Sequence, residues 1–158
     1  MLSTIRAALL AAIGLFAPVA QAQDRSTVER AVSGVAAEWN RTWNAHDADA
    51  WAALFDRPVG VFIFGATAYP LDSIKPVAAR YMGQRSNEAW TVDKVHVVPL
   101  SDTSAFLQFT LSGRYTLASG ITWEYDRSAH VTALVHRRGS SWKIVASANS
   151  AGGRRLPS

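Results

Sequence analysis

The chain of 158 residues has no cysteine, little excess charge and no long apolar segment. Without cysteine there can be no disulfide bridge, thiolate metal ligand or lipid-modified cysteine, so packing alone must stabilise the fold. The formal net charge of +4 comes from basic residues that are scattered apart from two Arg-Arg pairs. This pattern is typical of a solvated surface, and without a recognition motif it argues against nucleic-acid binding.

Residues 1–22 have the pattern of a secretory signal peptide. A basic region ending at Arg6 precedes about 14 uncharged and mainly apolar residues, fewer than the roughly 20 that cross a bilayer. Ala20-Gln-Ala22 then supplies the small residues of a cleavage site. We therefore predict a periplasmic or secreted protein that starts near Gln23 and has no membrane association after cleavage.

Several sequence signals of catalysis are also missing. There is no glycine-rich phosphate loop after a strand and no Gly-x-Ser-x-Gly elbow. The four histidines, His46, His96, His130 and His136, lie in different predicted elements or six residues apart on one strand. No two have the spacing of ligands to one metal ion, so we predict neither a metal site nor a cofactor. We assign His46 and its neighbour Asp47 to the capped start of a helix rather than to a catalytic pair.

The first half of the domain has mainly helical patterns. Apolar residues at helical spacing predict a first helix from about Thr27 to Asn44. A short second helix, capped by Asp47 or Asp49, and a third helix from about residue 72 to 82 follow. Between them, residues 60–65 form an apolar run that is too short for a helix and indicates a buried strand.

From Ala89 onward the apolar residues alternate, which predicts strands. The connections between these strands are short, and short connections force an antiparallel meander. We interpret residues 83–88 as a polar loop, residues 23–150 as one domain and residues 151–158 as a flexible tail. The predicted strands are Trp90–Leu100, Ser104–Leu117, Gly120–Arg137 and Trp142–Ser150.

This order of elements resembles the nuclear transport factor 2-like (NTF2-like) superfamily, and within it the SnoaL-like group of domains of unknown function. The resemblance implies an α+β cone in which three N-terminal helices pack on a strongly curved antiparallel sheet. Isomerases, dehydratases, epoxide hydrolases, polyketide cyclases and non-catalytic binding or assembly domains share that scaffold, so the fold does not settle the function. The segments that carry the resemblance are residues 43–47, 52–55, 128–136 and 139–150.

One reaction of these relatives can be tested position by position. Ketosteroid isomerases use an aspartate base and an oxyanion hole of tyrosine and protonated aspartic acid. The matching positions hold Trp39, Ile63 or Phe64, and Ala133, none of which can do that chemistry. We therefore do not expect this reaction.

A comparison with the last strand of SnoaL-like relatives also argues against a catalytic base in the cup. It often carries two histidines that face the cup, and the matching residues are Ala146 and Ala148. Because a ready base is missing, the resemblance favours an apolar cavity that binds by shape.

We expect the cup to bind a small apolar or aromatic ligand. Its predicted aromatic lining consists of Trp39, Trp43, Phe62, Phe64, Tyr81 and Trp90. His130 and Thr132 are predicted as polar residues that face inward, where relatives commonly have arginine then threonine. His130 is either the general base of a lyase or isomerase, since a histidine titrates near neutral pH, or a residue partnered within the sheet.

The chain is also predicted to form a homodimer. The outer face of the long meander should carry apolar side chains such as Val95 and Val97, which a monomer would leave in water. A homo-oligomeric assembly module is therefore a third interpretation beside a binding protein and an enzyme.

Overall fold

The computed structural model describes residues 25–56, 61–64 and 67–157, and the side chains of residues 61–64, 67, 68 and 71 are not described. The predicted signal peptide lies outside the described residues. The predicted second and third helices and the early strand are confirmed. Most of their observed ends lie within one or two residues of the predicted positions.

In the described part of the chain, three α-helices precede the long strands. Helix α1 covers residues 25–44. Helix α2, Ala48–Ala52, is capped by Asp47, whose Oδ1 accepts the backbone N–H of Ala50 at 2.9 Å. A 3-10 turn, Leu71–Ser73, leads into helix α3, Ile74–Gly83.

The strands form one sheet with the order β2-β1-β6-β5-β4-β3, and β7 pairs with β5 at one end. The long strands β3 to β6 are an antiparallel meander, and β1 joins β6 in parallel. This confirms the predicted α+β fold with helices against a curved antiparallel sheet. The strands are β1 Val61–Phe64, β2 Thr67–Pro70, β3 Arg85–Pro99, β4 Ser104–Leu117, β5 Thr122–Arg138, β6 Ser141–Ala151 and β7 Arg154–Arg155.

The core lies between the helices and the inner face of the sheet. Trp39 of α1 is 3% exposed and meets the ring of Trp51 from α2 at 4.7 Å between centroids. Phe109 of β4 lies 5.8 Å from the ring of Trp39 in an edge-on arrangement. Such aromatic pairs add about 0.5–1.5 kcal/mol each beyond the area that they bury.

The predicted loop over residues 83–88 is wrong, because β3 already begins at Arg85. Strand β2, Thr67–Pro70, was not predicted at all. These segments lack strict alternation, and pairing with a neighbouring strand overrides their weak local preference.

The predicted flexible tail is wrong as well. After β6 ends, the chain turns back onto β5, where Gly152 N donates to Ser128 O at 3.0 Å and Leu156 N donates to Thr122 O at 2.9 Å. Gly153 lies against the ring of Tyr125, which a Cβ atom would approach to 2.4 Å. A glycine is therefore required for this close contact.

The outer face of the sheet carries different apolar residues from those predicted. Val95 and Val97 pair with the buried Phe109 and Leu107, so they belong to the inner side of the sheet. The outer apolar row instead runs across four adjacent strands, and its first three members are 41%, 38% and 38% exposed. It consists of Val98, Phe106, Leu134 and Ala146.

Candidate functional site

A cavity of about 60 Å³ lies between α1 and the inner face of the sheet. It is much smaller than the roughly 300–1,000 Å³ of drug-sized sites, but a single water needs only about 10–15 Å³ of such space. The cavity is therefore suited to a molecule about the size of one aromatic ring. Its wall consists of Trp39, Asn40, Trp43, Arg85, Trp90, Leu111, Tyr115, Tyr125, Ala129, His130, Val131, Asn149, Ser150 and Ala151.

Aromatic rings form most of one end of the cavity. Trp90 of β3 packs on Gly113 of β4, where a Cβ atom would lie 2.5 Å from the indole. The rings of Tyr115 and Tyr125 are stacked at 6.0 Å, and their hydroxyl oxygens are 3.2 Å apart. Burial, followed by the hydrogen bond with Tyr115, raises the pKa of Tyr125 above its usual value. The Tyr125 hydroxyl therefore keeps its proton at physiological pH.

A buried ion pair lies at the same end. The side chain of Glu88 is fully buried, and that of Arg85 is 9% exposed. Glu88 Oε1 accepts hydrogen bonds from Trp43 Nε1 at 3.0 Å, Trp90 Nε1 at 2.7 Å and Arg85 Nη1 at 2.9 Å. The guanidinium also lies over the ring of Tyr115, 4.0 Å from its centroid. Three hydrogen bonds to the same oxygen hold the Glu88 carboxylate in place next to Arg85.

The ion pair depends on a bulge in β3. Two residues, Asn87 and Glu88, oppose the single residue Tyr115 of β4, and Asn87 has a positive φ of 51°. An extra residue changes which side chains share a face of the strand. As a result Arg85 and Glu88, although three residues apart, both reach the inner side of the sheet.

His46 touches the ion pair from the turn after α1. Its φ is 53°, a left-handed conformation that commonly ends helices, and its N–H donates to Trp43 O at 2.9 Å. Nε2 lies 3.1 Å from Glu88 Oε2, but this oxygen has no contact of hydrogen-bond geometry. His46 therefore contacts the carboxylate without a hydrogen bond, and the interpretation of His46 as part of a helix start misses this contact.

Two asparagines contribute unpartnered polar atoms to the cavity wall. The side-chain oxygens of Asn40 in α1 and Asn149 in β6 are buried and make no hydrogen bond among the described residues. Leaving such a group unsatisfied costs about 1–3 kcal/mol. Both oxygens are shielded from a water-sized probe, so a ligand could reach them only after their side chains move.

The chain was compared with known proteins. No protein-family model matches it, and no curated protein matches its sequence. Many solved structures match, among them a proposed dehydratase of the nuclear transport factor 2-like family from Streptomyces avermitilis. That protein is 14% identical, with a TM-score of 0.67 over 78% of this chain and 95% of that chain.

The chain has the nuclear transport factor 2-like fold. Two further structures agree with this. A ketosteroid isomerase-like protein from Erwinia carotovora atroseptica is 19% identical, with a TM-score of 0.65 over 78% of this chain and 95% of that chain. A hexachlorocyclohexane dehydrochlorinase (LinA) of type 2 is 13% identical, with a TM-score of 0.72 over 85% of this chain and 93% of that chain. At these identities the likeness concerns the fold alone.

In this nuclear transport factor 2-like fold, the predicted aromatic residues are only partly brought together. Trp39, Trp43 and Trp90 line the cavity, and binding of a ligand by them stays a prediction. Tyr81 is not part of the wall, but its ring lies 5.2 Å from the Arg85 guanidinium. Phe62 and Phe64 oppose Ser147 and Asn149 in the register of β1 and β6, and their side chains lie outside the described residues.

The predicted inward orientation of His130 and Thr132 is wrong. Ala129, Val131 and Ala133 are buried, so strand alternation turns the residues between them to the outer face. Thr132 pairs with the exposed Gln108 and Ala148. His130 borders the cavity between Ala129 and Val131, yet its side chain is exposed.

The same alternation corrects the interpretation of the last strand. Ala146 and Ala148 pair with residues of the outer face, whereas Ser147 and Asn149 pair with the buried Ala133 and Val131. The inner face of β6 is therefore polar at these positions. A β-bulge at Val145, between the pairs Leu134–Ala146 and Val135–Ile144, sets this register.

Sequence reasoning missed Arg85, Glu88, Tyr115, Tyr125 and the two asparagines. The tyrosines carried a usable signal, because they flank the hairpin between β4 and β5 and could share one face. Among the described residues, no group of three or more histidine, aspartate or glutamate side chains could hold a metal ion. No helix in the described part of the chain is long and apolar enough to span a bilayer.

Proposed function

We propose that this chain is an exported domain that binds a small apolar or aromatic molecule in the cavity of its nuclear transport factor 2-like fold. The observation that carries the proposal is the cavity itself, which is walled by Trp39, Trp43, Trp90 and two tyrosines and retains unpartnered polar atoms. Ligand sites are typically concave, mainly apolar and supplied with a few convergent polar groups.

The role of Trp39 limits how the proposal can be tested. Its ring also packs on Trp51, Phe55 and Phe109, so it belongs to the core as well as to the cavity wall. Trp39→Ala is therefore expected to cost about 3–5 kcal/mol of stability. Loss of binding in that variant would be uninformative, and a variant that fills the cavity is a better test.

Ala129→Leu is the variant that tests this function. Ala129 lines the cavity, and a leucine there would occupy its space. We expect isopropylbenzene to quench or shift the tryptophan fluorescence of the unmodified protein, and Ala129→Leu to weaken binding by about tenfold, the equivalent of roughly 1.4 kcal/mol. The matched control is Ala148→Leu, the same change at an exposed position of β6. No binding of any small aromatic probe, or equal binding by both variants, would contradict the proposal.

The enzyme interpretation that uses His130 has little support from its position. The imidazole is exposed on the face of β5 opposite to Val131, so it does not point into the cavity. If a substrate screen finds a lyase or isomerase activity, His130→Gln should leave its turnover unchanged. A large loss of turnover would restore His130 as the base.

Export is the other part of the proposal, and the pattern of residues 1–22 supports it. We expect the exported protein to begin near Gln23. An intact-mass measurement decides this, because a mass that retains residues 1–22 would identify an uncleaved anchor.

A further inference from the structure

Among the described residues of the cavity wall, Arg85 is the one lysine, arginine or carboxylate side chain, and it has hydrogen-bond donors that are not used. Arg85 lines the cavity, and Nη1 donates to Glu88. No other hydrogen bond of this guanidinium occurs among the described residues. A guanidinium has five N–H donors in a fixed planar arrangement. Stacking on Tyr115 holds the group in place, so a ligand oxygen can meet an already ordered donor.

The charge of Arg85 is nevertheless neutralised. Glu88 is fully buried and cannot turn away, because the indole N–H groups of Trp43 and Trp90 bind the same oxygen that accepts from Arg85. The other oxygen lies near His46, which is partly exposed. With a neutral imidazole the cluster has no net charge, so it offers directional hydrogen bonds rather than an excess positive potential.

A second negative charge would be disfavoured in this surrounding. A carboxylate ligand next to Arg85 would share one cation with Glu88 in a mainly apolar cavity, and like charges that share a buried site repel strongly. A carbonyl oxygen can accept the same hydrogen bonds without that repulsion.

We propose that the Arg85–Glu88 pair makes the cavity selective for small, uncharged, planar molecules that carry a carbonyl oxygen, and against carboxylates of the same shape. Aromatic carboxamides are the simplest members of this class. The inference rests on the proposed function, since it names the ligand class of the same cavity.

Three probes of nearly the same shape separate the contributions of a carbonyl oxygen, a negative charge and the apolar ring to binding. Benzamide carries an uncharged carbonyl group, benzoate carries a negative charge instead, and isopropylbenzene has neither. Calorimetric titrations at pH 8.5, where histidine side chains carry little charge, should show benzamide binding at least about tenfold more tightly than benzoate. Arg85→Met should weaken benzamide by about tenfold, while the affinity for isopropylbenzene changes by less than about threefold.

Glu88→Gln is the decisive variant. Glutamine keeps an oxygen for both indole N–H groups but removes the charge, so Arg85 becomes an uncompensated cation. Benzoate should then gain about tenfold or more and bind at least as well as benzamide. Glu38→Gln is the matched control, because Glu38 is an exposed carboxylate that pairs with Arg41 on α1, and it should leave every affinity unchanged.

The outcomes distinguish the two proposals. Binding of none of the three probes overturns the proposed function, and this inference with it. This inference alone is overturned if isopropylbenzene binds but benzamide binds no more tightly than benzoate. It is also overturned if the unmodified protein prefers benzoate. If Glu88→Gln fails to show a cooperative thermal transition, the ratio of benzamide to benzoate in the unmodified protein and the effect of Arg85→Met decide the question.

Discussion

The interior of this fold has two halves that differ in what fills them. In the filled half, the packed side chains are apolar and buried, and the residues that define it are Trp51, Phe55, Leu107, Ala133, Val135 and Ile144. In the cavity half, a small space remains beside a buried ion pair and a tyrosine pair, and its residues are Arg85, Glu88, Trp90, Leu111, Tyr115, Tyr125 and Ala129. Both halves lie on the same inner face of the same strands.

The difference follows how regularly β4 pairs with its two neighbours, β3 and β5. In the filled half, β4 and β5 pair residue by residue from Ser104 to Leu111. In the cavity half, two residues of β3 oppose Tyr115, and β5 has an irregular stretch over residues 126–128 in which Arg127 has a positive φ. Bulges bend strands and redirect side chains. Along β4 and β5, regular pairing thus accompanies the apolar half of the core, and interrupted pairing accompanies the buried polar groups.

The largest expected effect comes from Leu107 in the filled half. Leu107→Ala should lower the free energy of unfolding by about 3–5 kcal/mol, because the leucine is fully surrounded and its removal leaves a new void. Leu111→Ala, on the same face of β4 in the cavity half, should cost about 2 kcal/mol, since its side chain already borders a space. Urea denaturation measures both, and equal costs would contradict the division into halves.

Substitutions that add volume should also cost more in the filled half than in the cavity half. Ala133→Leu in the filled half should cost about 1–3 kcal/mol through overpacking. Ala129→Leu should cost less than about 1 kcal/mol, because the cavity can hold the added carbon atoms. If Ala129→Leu is the more destabilising change, as thermal denaturation would show, the cavity is not available to a side chain.

The outer face of the same strands offers a further contrast. Phe106 and Leu134 are neighbours in the outer apolar row, and a second copy of the chain that covers them would remove both from water. We propose a homodimer through this row. Phe106→Lys should convert it to a monomer, as judged by light scattering at micromolar concentration, whereas the control Gln108→Lys on the same face should not. A mass of one chain for the unmodified protein would refute the dimer.

The smallest expected effect concerns alkaline stability in the cavity half. Burial and the Tyr115 hydroxyl raise the pKa of Tyr125, so above pH 10 the unfolded chain releases this proton before the folded chain does. The stabilisation is complete below that pH and is lost as pH rises. Urea denaturation at pH 8 and pH 11 should therefore show a smaller loss of stability for Tyr125→Phe than for the unmodified protein, with Tyr69→Phe as control. An equal loss in all three would contradict the burial of this hydroxyl.

Much of the fold could be predicted from local patterns. Helical spacing up to Asn44, the aspartate before Ala48 and the alternation after Ala89 are signals that each segment carries by itself. The tail could not be predicted, because Arg154 and Arg155 form a strand only through pairing with β5. Such pairing joins segments that are distant in sequence.

The candidate site could be predicted less well, because its polar residues depend on strand register. One bulge decides that Arg85 and Glu88 both face inward, and another decides that Asn149 rather than Ala148 does. Strand alternation before a bulge cannot be carried across it. The tryptophans of the wall were predictable for a different reason, since Trp39 and Trp43 follow the apolar stripe of α1 whatever the sheet does.

The most direct measurement of the central claim is a crystal structure of the protein grown with benzamide. The ring should lie in the cavity beside Trp39 and Trp90, with its carbonyl oxygen within hydrogen-bond distance of the Arg85 guanidinium and Glu88 still bound to both indole N–H groups. A cavity that is closed by repacked side chains, or benzamide bound only elsewhere on the protein at saturating concentration, would contradict the account.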